Sequence, residues 1–170
     1  MRKFGMILIV LMAFSSWASA QEYRYHPIFI YNFSKYIEWP PPSTSGDFVI
    51  CVVGDDQAYQ QMVNISQKKR KIKNQNLVVK KCNALSEIGE SNIVFITKST
   101  KVSSEEIEAQ FHQPGTLVIT EHRGMAERGA HINFIATADS KIGFELNTTS
   151  TQNAGLRVAN TLATLAAKTY

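Results

Sequence analysis

The sequence predicts a single three-layer α/β domain built on a mainly parallel sheet. Four short runs rich in β-branched residues recur along the chain, and a stretch able to form a helix separates each run from the next. Continuous apolar runs of this kind are typical of strands that are buried on both faces. Parallel strands need crossover connections, so strands that alternate with helices indicate a parallel sheet. The runs cover residues 48–53, 77–79, 93–96 and 117–119.

An aromatic segment over residues 27–39 precedes the first of these strands, and we expect it to form the first helix. Its apolar residues lie at helical spacing, and three consecutive prolines at 40–42 end it. At about 100° per residue, one side of this helix carries a stripe wide enough to cover a domain core. The stripe consists of Phe29, Ile30, Phe33, Tyr36 and Ile37.

The opposite side of this predicted helix carries more apolar residues than a solvent-facing side needs. Ile28, Tyr31 and Trp39 lie there among polar residues that include Lys35. Exposed aromatic residues rimmed by polar ones are typical of protein interfaces. We therefore expect Ile28, Tyr31, Lys35 and Trp39 to contact a partner protein, and cover by a neighbouring loop is the alternative.

Two of the stretches between the strands have clear helical signals. Residues 56–66 carry Tyr59, Met62 and Val63 at helical spacing. Ser103 and Glu106 form the S-x-x-E pattern of a capping box, which predicts a helix start between the third and fourth strands.

The last third of the chain changes from continuous apolar runs to alternation. Apolar residues occupy every second position over 132–136 and 142–146, with a turn at 139–141, so we expect an antiparallel hairpin at the edge of the sheet. Small apolar residues over about 151–168 predict a final helix that packs closely on its neighbours.

The first 20 residues have the pattern of a cleaved signal peptide. Arg2 and Lys3 precede an apolar run over 4–14, and small residues at 18–20 have the spacing that a signal peptidase recognises. The apolar run is far shorter than the ~20 residues that span a bilayer. We therefore expect one exported domain over residues 21–170.

The charge of the mature chain is too small to predict nucleic-acid binding. Loss of Arg2 and Lys3 leaves 16 basic residues (18 minus 2) against 14 acidic ones, a net charge of +2. The one local basic patch covers residues 68–71 and Lys73. A solvated loop is the simpler interpretation of this patch, and contact with acidic lipid headgroups or an acidic partner is the alternative.

The two cysteines, Cys51 and Cys82, would both face an oxidising compartment after export. A bridge between them would close a loop of about 30 residues and stabilise the fold by roughly 3 to 4 kcal/mol in the chain-entropy model. Two buried thiols are the alternative, and we predict the bridge.

A candidate ligand pocket follows the ends of three predicted strands. Gly54 and Asp55 come after the first strand, Thr97 after the third and Glu121 after the fourth. Doubly wound folds hold ligands at the carboxyl ends of their strands. A phosphate site would need more glycines and fewer carboxylates, and Asp55 or Asp56 as a helix N-cap is the alternative interpretation.

The sequence contains no catalytic set that we recognise. Its histidines are isolated, which gives no support for a metal site, and neither cysteine has the context of a nucleophile. We therefore expect a protein that is not an enzyme and has no cofactor. If it did catalyse a reaction, Asp55, Glu121 and His122 would be the first residues to replace.

Three segments resemble the YfiR family of exported bacterial regulators, a domain of unknown function. Residues 31–40 are similar to the opening helix of that family, with its Asn-Phe and Glu-Trp-Pro elements, and residues 50–56 resemble its first strand and turn. The terminal hairpin and helix of the family resemble a third group of segments, at 132–134, 142–147 and 154–156.

The resemblance implies a periplasmic, often dimeric protein that restrains an inner-membrane signalling enzyme of the diguanylate cyclase type. It also implies an outer-membrane lipoprotein that relieves the restraint. Some relatives carry a cysteine before the third strand, where this chain has Ser91 and Asn92, so their disulfide pairing does not transfer. A periplasmic module that binds a small molecule or peptide at the strand ends is the alternative function.

Overall fold

The structure is a computed structural model that describes residues 23–139 and 141–170. The predicted signal peptide and the start of the mature chain lie outside the described residues. Within those residues, every helix is too short or too polar to traverse a bilayer.

The described residues form five α-helices, two short 3-10 helices and ten strands. The α-helices are α1 (His26–Tyr36), α2 (Asp56–Lys68), α3 (Ser104–Glu108), α4 (Thr148–Asn153) and α5 (Asn160–Leu165). The first five strands are β1 (Ile37–Glu38), β2 (Phe48–Val53), β3 (Lys71–Ile72), β4 (Gln75–Cys82) and β5 (Ile93–Ile96). The others are β6 (Leu117–Thr120), β7 (Ile132–Ala136), β8 (Ile142–Leu146), β9 (Arg157–Val158) and β10 (Lys168–Thr169).

The predicted α/β architecture with a mainly parallel sheet is confirmed. Eight strands form one sheet in the order β10-β8-β7-β6-β5-β2-β4-β3, and β1 pairs with β9 in a small antiparallel sheet. The neighbours from β4 to β7 pair in parallel. Each of the four predicted apolar runs lies within one of the parallel strands β2, β4, β5 and β6.

Alternation along these strands divides the core between the two faces of the sheet. One face packs against α1 and α2, and it includes the rings of Phe33, Phe95, Phe134 and Phe144. The other face packs against α3 and the following loop through a smaller set of side chains. That set includes Cys51, Val53, Val94, Ile96, Ile107, Phe111 and Met125. The first face therefore carries most of the aromatic packing.

The disulfide between Cys51 and Cys82 is present and joins β2 to its neighbour β4. The helix starts at 56 and 104 are also as predicted. Asp55 caps α2 by accepting hydrogen bonds from the backbone N–H groups of Gln57 and Ala58, at 2.8 and 2.9 Å. Ser103 and Glu106 form the predicted capping box at the start of α3.

The hairpin of β7 and β8 is antiparallel as predicted, but it does not form the edge of the sheet. Ile132 pairs with Leu146 and Ala136 with Ile142. The two-residue strand β10 then adds in parallel outside β8. The sequence did not predict a strand at the carboxyl terminus because the residues there are small and favour a helix.

The single helix predicted over 151–168 is wrong. The chain instead leaves α4 at Gly155, which has a left-handed φ of +75° that glycine adopts without strain. It then forms β9, α5 and β10 in turn. Backbone hydrogen bonds to distant segments replace helical ones here, including Ala159 N–H to the carbonyl of Tyr36 at 2.8 Å and Ala167 N–H to Phe144 at 2.8 Å.

Candidate functional site

Large exposed apolar side chains concentrate on and beside α1. Among the described residues, the exposed large hydrophobic side chains are Tyr25 at 52%, Ile28 at 47%, Tyr36 at 36% and Leu165 at 62%. The first three lie on the outer side of α1 or one residue before it, and α5, which ends at Leu165, packs against α1. We define the α1 surface as Tyr25, Ile28, Tyr31, Lys35 and Tyr36.

The opposite side of α1 is fixed in the core. Ile30 and Phe33 are fully buried, and the Phe33 ring meets Phe144 edge to face at 4.9 Å. Pro27 lies in the first turn, where its missing N–H removes no helical hydrogen bond. The core-facing side of α1 is tightly packed and its opposite side is exposed. The α1 surface is therefore a rigid apolar face, as a preorganised binding surface requires.

The predicted partner residues Tyr31 and Lys35 lie next to each other on this face. Tyr31 is half-buried and packs against the core. The Lys35 Nζ lies 4.5 Å from the centroid of the Tyr31 ring and donates a hydrogen bond to Asn32 Oδ1 at 3.1 Å. The cation therefore covers part of the ring and gives the apolar face a positive rim.

The sequence pattern missed Tyr25 and misplaced Tyr36. Tyr25 lies three residues before Ile28, the spacing at which two residues share a helix face, but the predicted helix began after it. Tyr36 was assigned to the core stripe, yet its side chain is exposed. At about 100° per residue Tyr36 lies on the same side of the helix as Tyr25 and Ile28, so the buried stripe does not include it.

The prediction that Trp39 lies on the exposed side of the helix is wrong. The helix ends at Tyr36, and the next two residues form β1 against β9, so Trp39 is not on the helix at all. Its ring packs edge to face on Phe48 at 5.0 Å, and its Nε1 donates to the carbonyl of Asn92 at 3.2 Å. Trp39 is thus a buried core residue, 8% exposed.

The structure brings three residues of the candidate ligand pocket together, but it fills the space between them. A side chain on Gly54, whose φ is +98°, would lie against the hydroxyls of Thr97, at 2.8 Å, and Thr100. The Thr97 hydroxyl also bonds to the carbonyl of Val53 at 2.8 Å and accepts from the Asp55 N–H at 3.2 Å. These polar groups are used within the chain, and Asp55 serves as the N-cap of α2.

Glu121, the fourth pocket residue, fastens the segment before α1 to the sheet. Its carboxylate accepts from the Tyr23 hydroxyl at 3.0 Å and from the Lys98 N–H at 3.0 Å. The His26 Nε2 lies 2.8 Å from the other carboxylate oxygen. Tyr23 and His26 therefore occupy the strand ends where we expected a ligand, and no sequence pattern links them to Glu121.

Tyr23 stays protonated in this environment. Burial raises the pKa of its hydroxyl well above the usual value, and the negative charges of Glu121 and Asp55 raise the pKa further. A neutral Tyr23 donates to Glu121, so the anchor is a hydrogen bond rather than a reactive phenolate. His122, proposed above as a first residue to replace, bonds to the Thr97 carbonyl through Nε2 at 3.1 Å.

A groove lies near the opposite ends of the strands. It has a volume of about 660 Å³, and its lining includes Ser43, Val49, Lys80, Asn92 and Gln113. Most of these residues precede or begin a strand, so the groove lies away from the predicted carboxyl-end pocket. Its wall is largely polar, with serine, asparagine, glutamine and backbone groups.

The chain was compared with known protein families and with curated proteins. The profile of the family described as YfiR/HmsC-like matches residues 23–167. No curated protein matches the chain. The matched range covers α1, the parallel sheet, the disulfide and the terminal hairpin. The family is one of exported, non-catalytic regulators. The chain therefore belongs to the YfiR/HmsC-like family.

Proposed function

We propose that this protein is a periplasmic regulator that binds and restrains an inner-membrane signalling enzyme of the diguanylate cyclase type through the α1 surface. The observation that carries the proposal is the concentration of exposed Tyr25, Ile28 and Tyr36 on a helix whose rear side is packed. Membership of a family of exported regulators supports the class of function.

The composition of the α1 surface suits a protein partner. Tyrosines contribute large contact areas and a polar hydroxyl, and they are enriched at the centres of protein interfaces. Ile28 supplies an aliphatic side chain, and its burial against a partner lowers the free energy of the complex. Lys35 adds one positive charge at the rim, which favours an acidic complement on the partner and guides its approach.

The proposal includes a homodimer and release by an outer-membrane lipoprotein. Family likeness supports both. A dimer that used the α1 surface would compete with the membrane enzyme, so the restraining form would expose this surface and the dimer contact would lie elsewhere.

A double variant tests the proposal directly. Ile28→Glu/Tyr36→Glu places two carboxylates on the α1 surface, where the partner would have to desolvate them. Because both side chains are exposed, we expect the free energy of unfolding to change by less than about 1 kcal/mol. Association with inner membranes should be lost, and cellular cyclic di-GMP should rise to the level of a deletion strain.

The matched control adds the same charge on exposed residues elsewhere. Gln60→Glu/Gln152→Glu, at two exposed positions outside the α1 surface and the groove, should fold, bind membranes and restrain the cyclase as the wild type does. Full restraint by the α1 double variant, at normal abundance, would refute the proposed surface.

A periplasmic binding module is the second candidate function, and the groove of about 660 Å³ is the observation that favours it. A ligand would raise the melting temperature in proportion to the logarithm of its concentration above the dissociation constant. A screen of small molecules and short peptides by thermal shift tests this candidate. Replacement of Gln113 by a larger residue should remove any such shift.

A further inference from the structure

One long edge of the sheet is only partly covered. The strand order ends in β2-β4-β3, and β3 is two residues long. It pairs with Gln75 and Asn76, and the Leu77 N–H donates to the carbonyl of Arg70 at 2.9 Å. Beyond Leu77, within the described part of the chain, no strand lies outside β4.

The hydrogen-bond pattern shows which groups of β4 point outward. Backbone groups of successive residues in a strand point alternately to its two sides. The carbonyl of Cys82 accepts from the Gly54 N–H at 3.1 Å, which directs Cys82 and its alternates toward β2. Leu77 bonds to Arg70 on the other side. The N–H and C=O groups of Val79 and Lys81 therefore point away from the sheet.

This open edge is held in place before anything binds to it. β4 pairs with β2 over six residue pairs, from Phe48 with Leu77 to Val53 with Cys82. The disulfide joins Cys51 to Cys82 at its far end. A strand fixed by its neighbour and by a covalent bridge loses little conformational entropy when another strand adds to it.

The basic cluster identified in the sequence borders this same edge. Seven exposed basic side chains lie on β4, on β3, in the turn between these strands, or in the segment from the last residue of α2 to β3. They are Lys68, Lys69, Arg70, Lys71, Lys73, Lys80 and Lys81. Lys81 pairs with Asp56 of α2, whereas the other six make no ion pair within the described residues. A strand added here would therefore meet an excess of positive charge.

We propose that the outer edge of β4 binds an extended acidic segment of a partner protein by strand addition. Backbone bonds to Val79 and Lys81 would supply the alignment, and the basic cluster would select for acidic side chains. A second copy of this chain is a poor occupant, because it would oppose its own lysines to these lysines. The site shares no residue with the α1 surface, so one protein could bind through both.

The probe is a fluorescein-labelled octapeptide of alternating threonine and glutamate, and binding is measured by fluorescence anisotropy. Two N-methylated versions carry methyl groups on one or the other set of alternate residues. Strand addition uses only one set of N–H groups, so one version should lose binding and the other should keep it. The amide N–H groups of Val79 and Lys81 should exchange more slowly in the complex.

Variants separate the backbone and charge contributions. Val79→Pro removes an outward N–H that the fold does not use and should weaken binding roughly tenfold or more. Lys69→Glu/Lys73→Glu should do the same, whereas the matched control Lys101→Glu/Lys141→Glu should not.

Three results would overturn the proposal. Equal binding of both methylated peptides would show attraction of charge without strand pairing. Binding to vesicles that contain phosphatidylglycerol, with none to the peptide, would assign the basic cluster to lipid headgroups. Unchanged binding by Lys69→Glu/Lys73→Glu would remove the cluster from the site.

Discussion

At the scale of single residues, His131 is a buried side chain that stays neutral in the folded protein at neutral pH. It is completely buried, and its Nδ1 accepts a hydrogen bond from the Val118 N–H at 2.9 Å. Burial, and to a smaller extent the charge of His112, lower the pKa of His131 to about 4, although a hydrogen bond with the backbone of Phe111 opposes the shift. The imidazole is therefore neutral, and it accepts this hydrogen bond on the face of the sheet that packs against α3.

The folded pKa of His131 predicts how stability depends on pH. The unfolded chain takes up a proton near the ordinary histidine pKa of 6.5, whereas the folded chain takes it up only near 4. Stability is therefore complete above pH 6.5 and falls as the pH drops toward 4, by up to about 3 kcal/mol. Urea denaturation followed by Trp39 fluorescence across this range measures the loss.

His131→Asn keeps an oxygen acceptor for Val118 and removes the titration, so its stability should fall less steeply below pH 6.5. His112→Asn removes an exposed histidine and serves as the control, with nearly the wild-type slope. Parallel pH profiles for the wild type and His131→Asn would contradict the assignment.

The side chain of Asn92 holds the backbone of two other segments, at Ser43 and at Val49. Its Oδ1 accepts from the Val49 N–H at 2.8 Å, and its Nδ2 donates to the carbonyl of Ser43 at 2.7 Å. Asn92→Ala leaves both backbone groups without these partners, so we expect a loss of about 2 to 3 kcal/mol in the free energy of unfolding. Asn64→Ala, on an exposed position of α2, should change it by less than about 0.5 kcal/mol. Equal effects of the two substitutions would be inconsistent with this role.

At the scale of elements, the disulfide is the strongest single constraint on the edge of the sheet. The two cysteines are 31 residues apart, and the loop they close contains all of α2 and β3. Cys51→Ala/Cys82→Ala should therefore lower the free energy of unfolding by roughly 3 to 4 kcal/mol in the chain-entropy model. Reductant should shift the urea midpoint of the wild type and leave that of the double variant unchanged. A wild type with two free thiols by intact mass would contradict the bridge.

The sequence predicted the elements whose structure depends on local pattern. β2 and β5 are continuous apolar runs that are buried on both faces of the sheet. The capping box of Ser103 and Glu106 depends only on residues three positions apart, and it begins α3 as expected. The segment after Gly155 was wrong because its structure depends on distant partners. β9 exists because β1 lies beside it, and β10 because β8 offers an edge.

The same distinction holds for the candidate site. Ile28, Tyr31 and Lys35 could be placed on one side of α1 because helical periodicity fixes their direction. Trp39 could not, because the chain leaves the helix at Ile37 to pair with Val158, 121 residues further on (158 minus 37). Glu121 was predicted to line a ligand pocket, but its carboxylate binds Tyr23 and His26, which lie about 100 residues earlier in the chain.

At the scale of the whole molecule, the fold holds α1 at both ends and leaves its outer face open. Glu121 anchors the segment before the helix, and pairing of β1 with β9 anchors the segment after it. The open edge of β4 with its basic cluster provides a second, chemically different surface. An apolar helix face and a basic strand edge on one domain suit a regulator that contacts more than one partner.

The most direct test of the central claim is site-specific photocrosslinking in intact cells. A photoreactive amino acid replaces Ile28 in one strain and Gln113 in another, and adducts are identified by mass spectrometry. The proposed α1 surface predicts a covalent adduct with an inner-membrane enzyme of the diguanylate cyclase type from position 28 and none from position 113. The same adducts from both positions, or an adduct with that enzyme from position 113 alone, would contradict it.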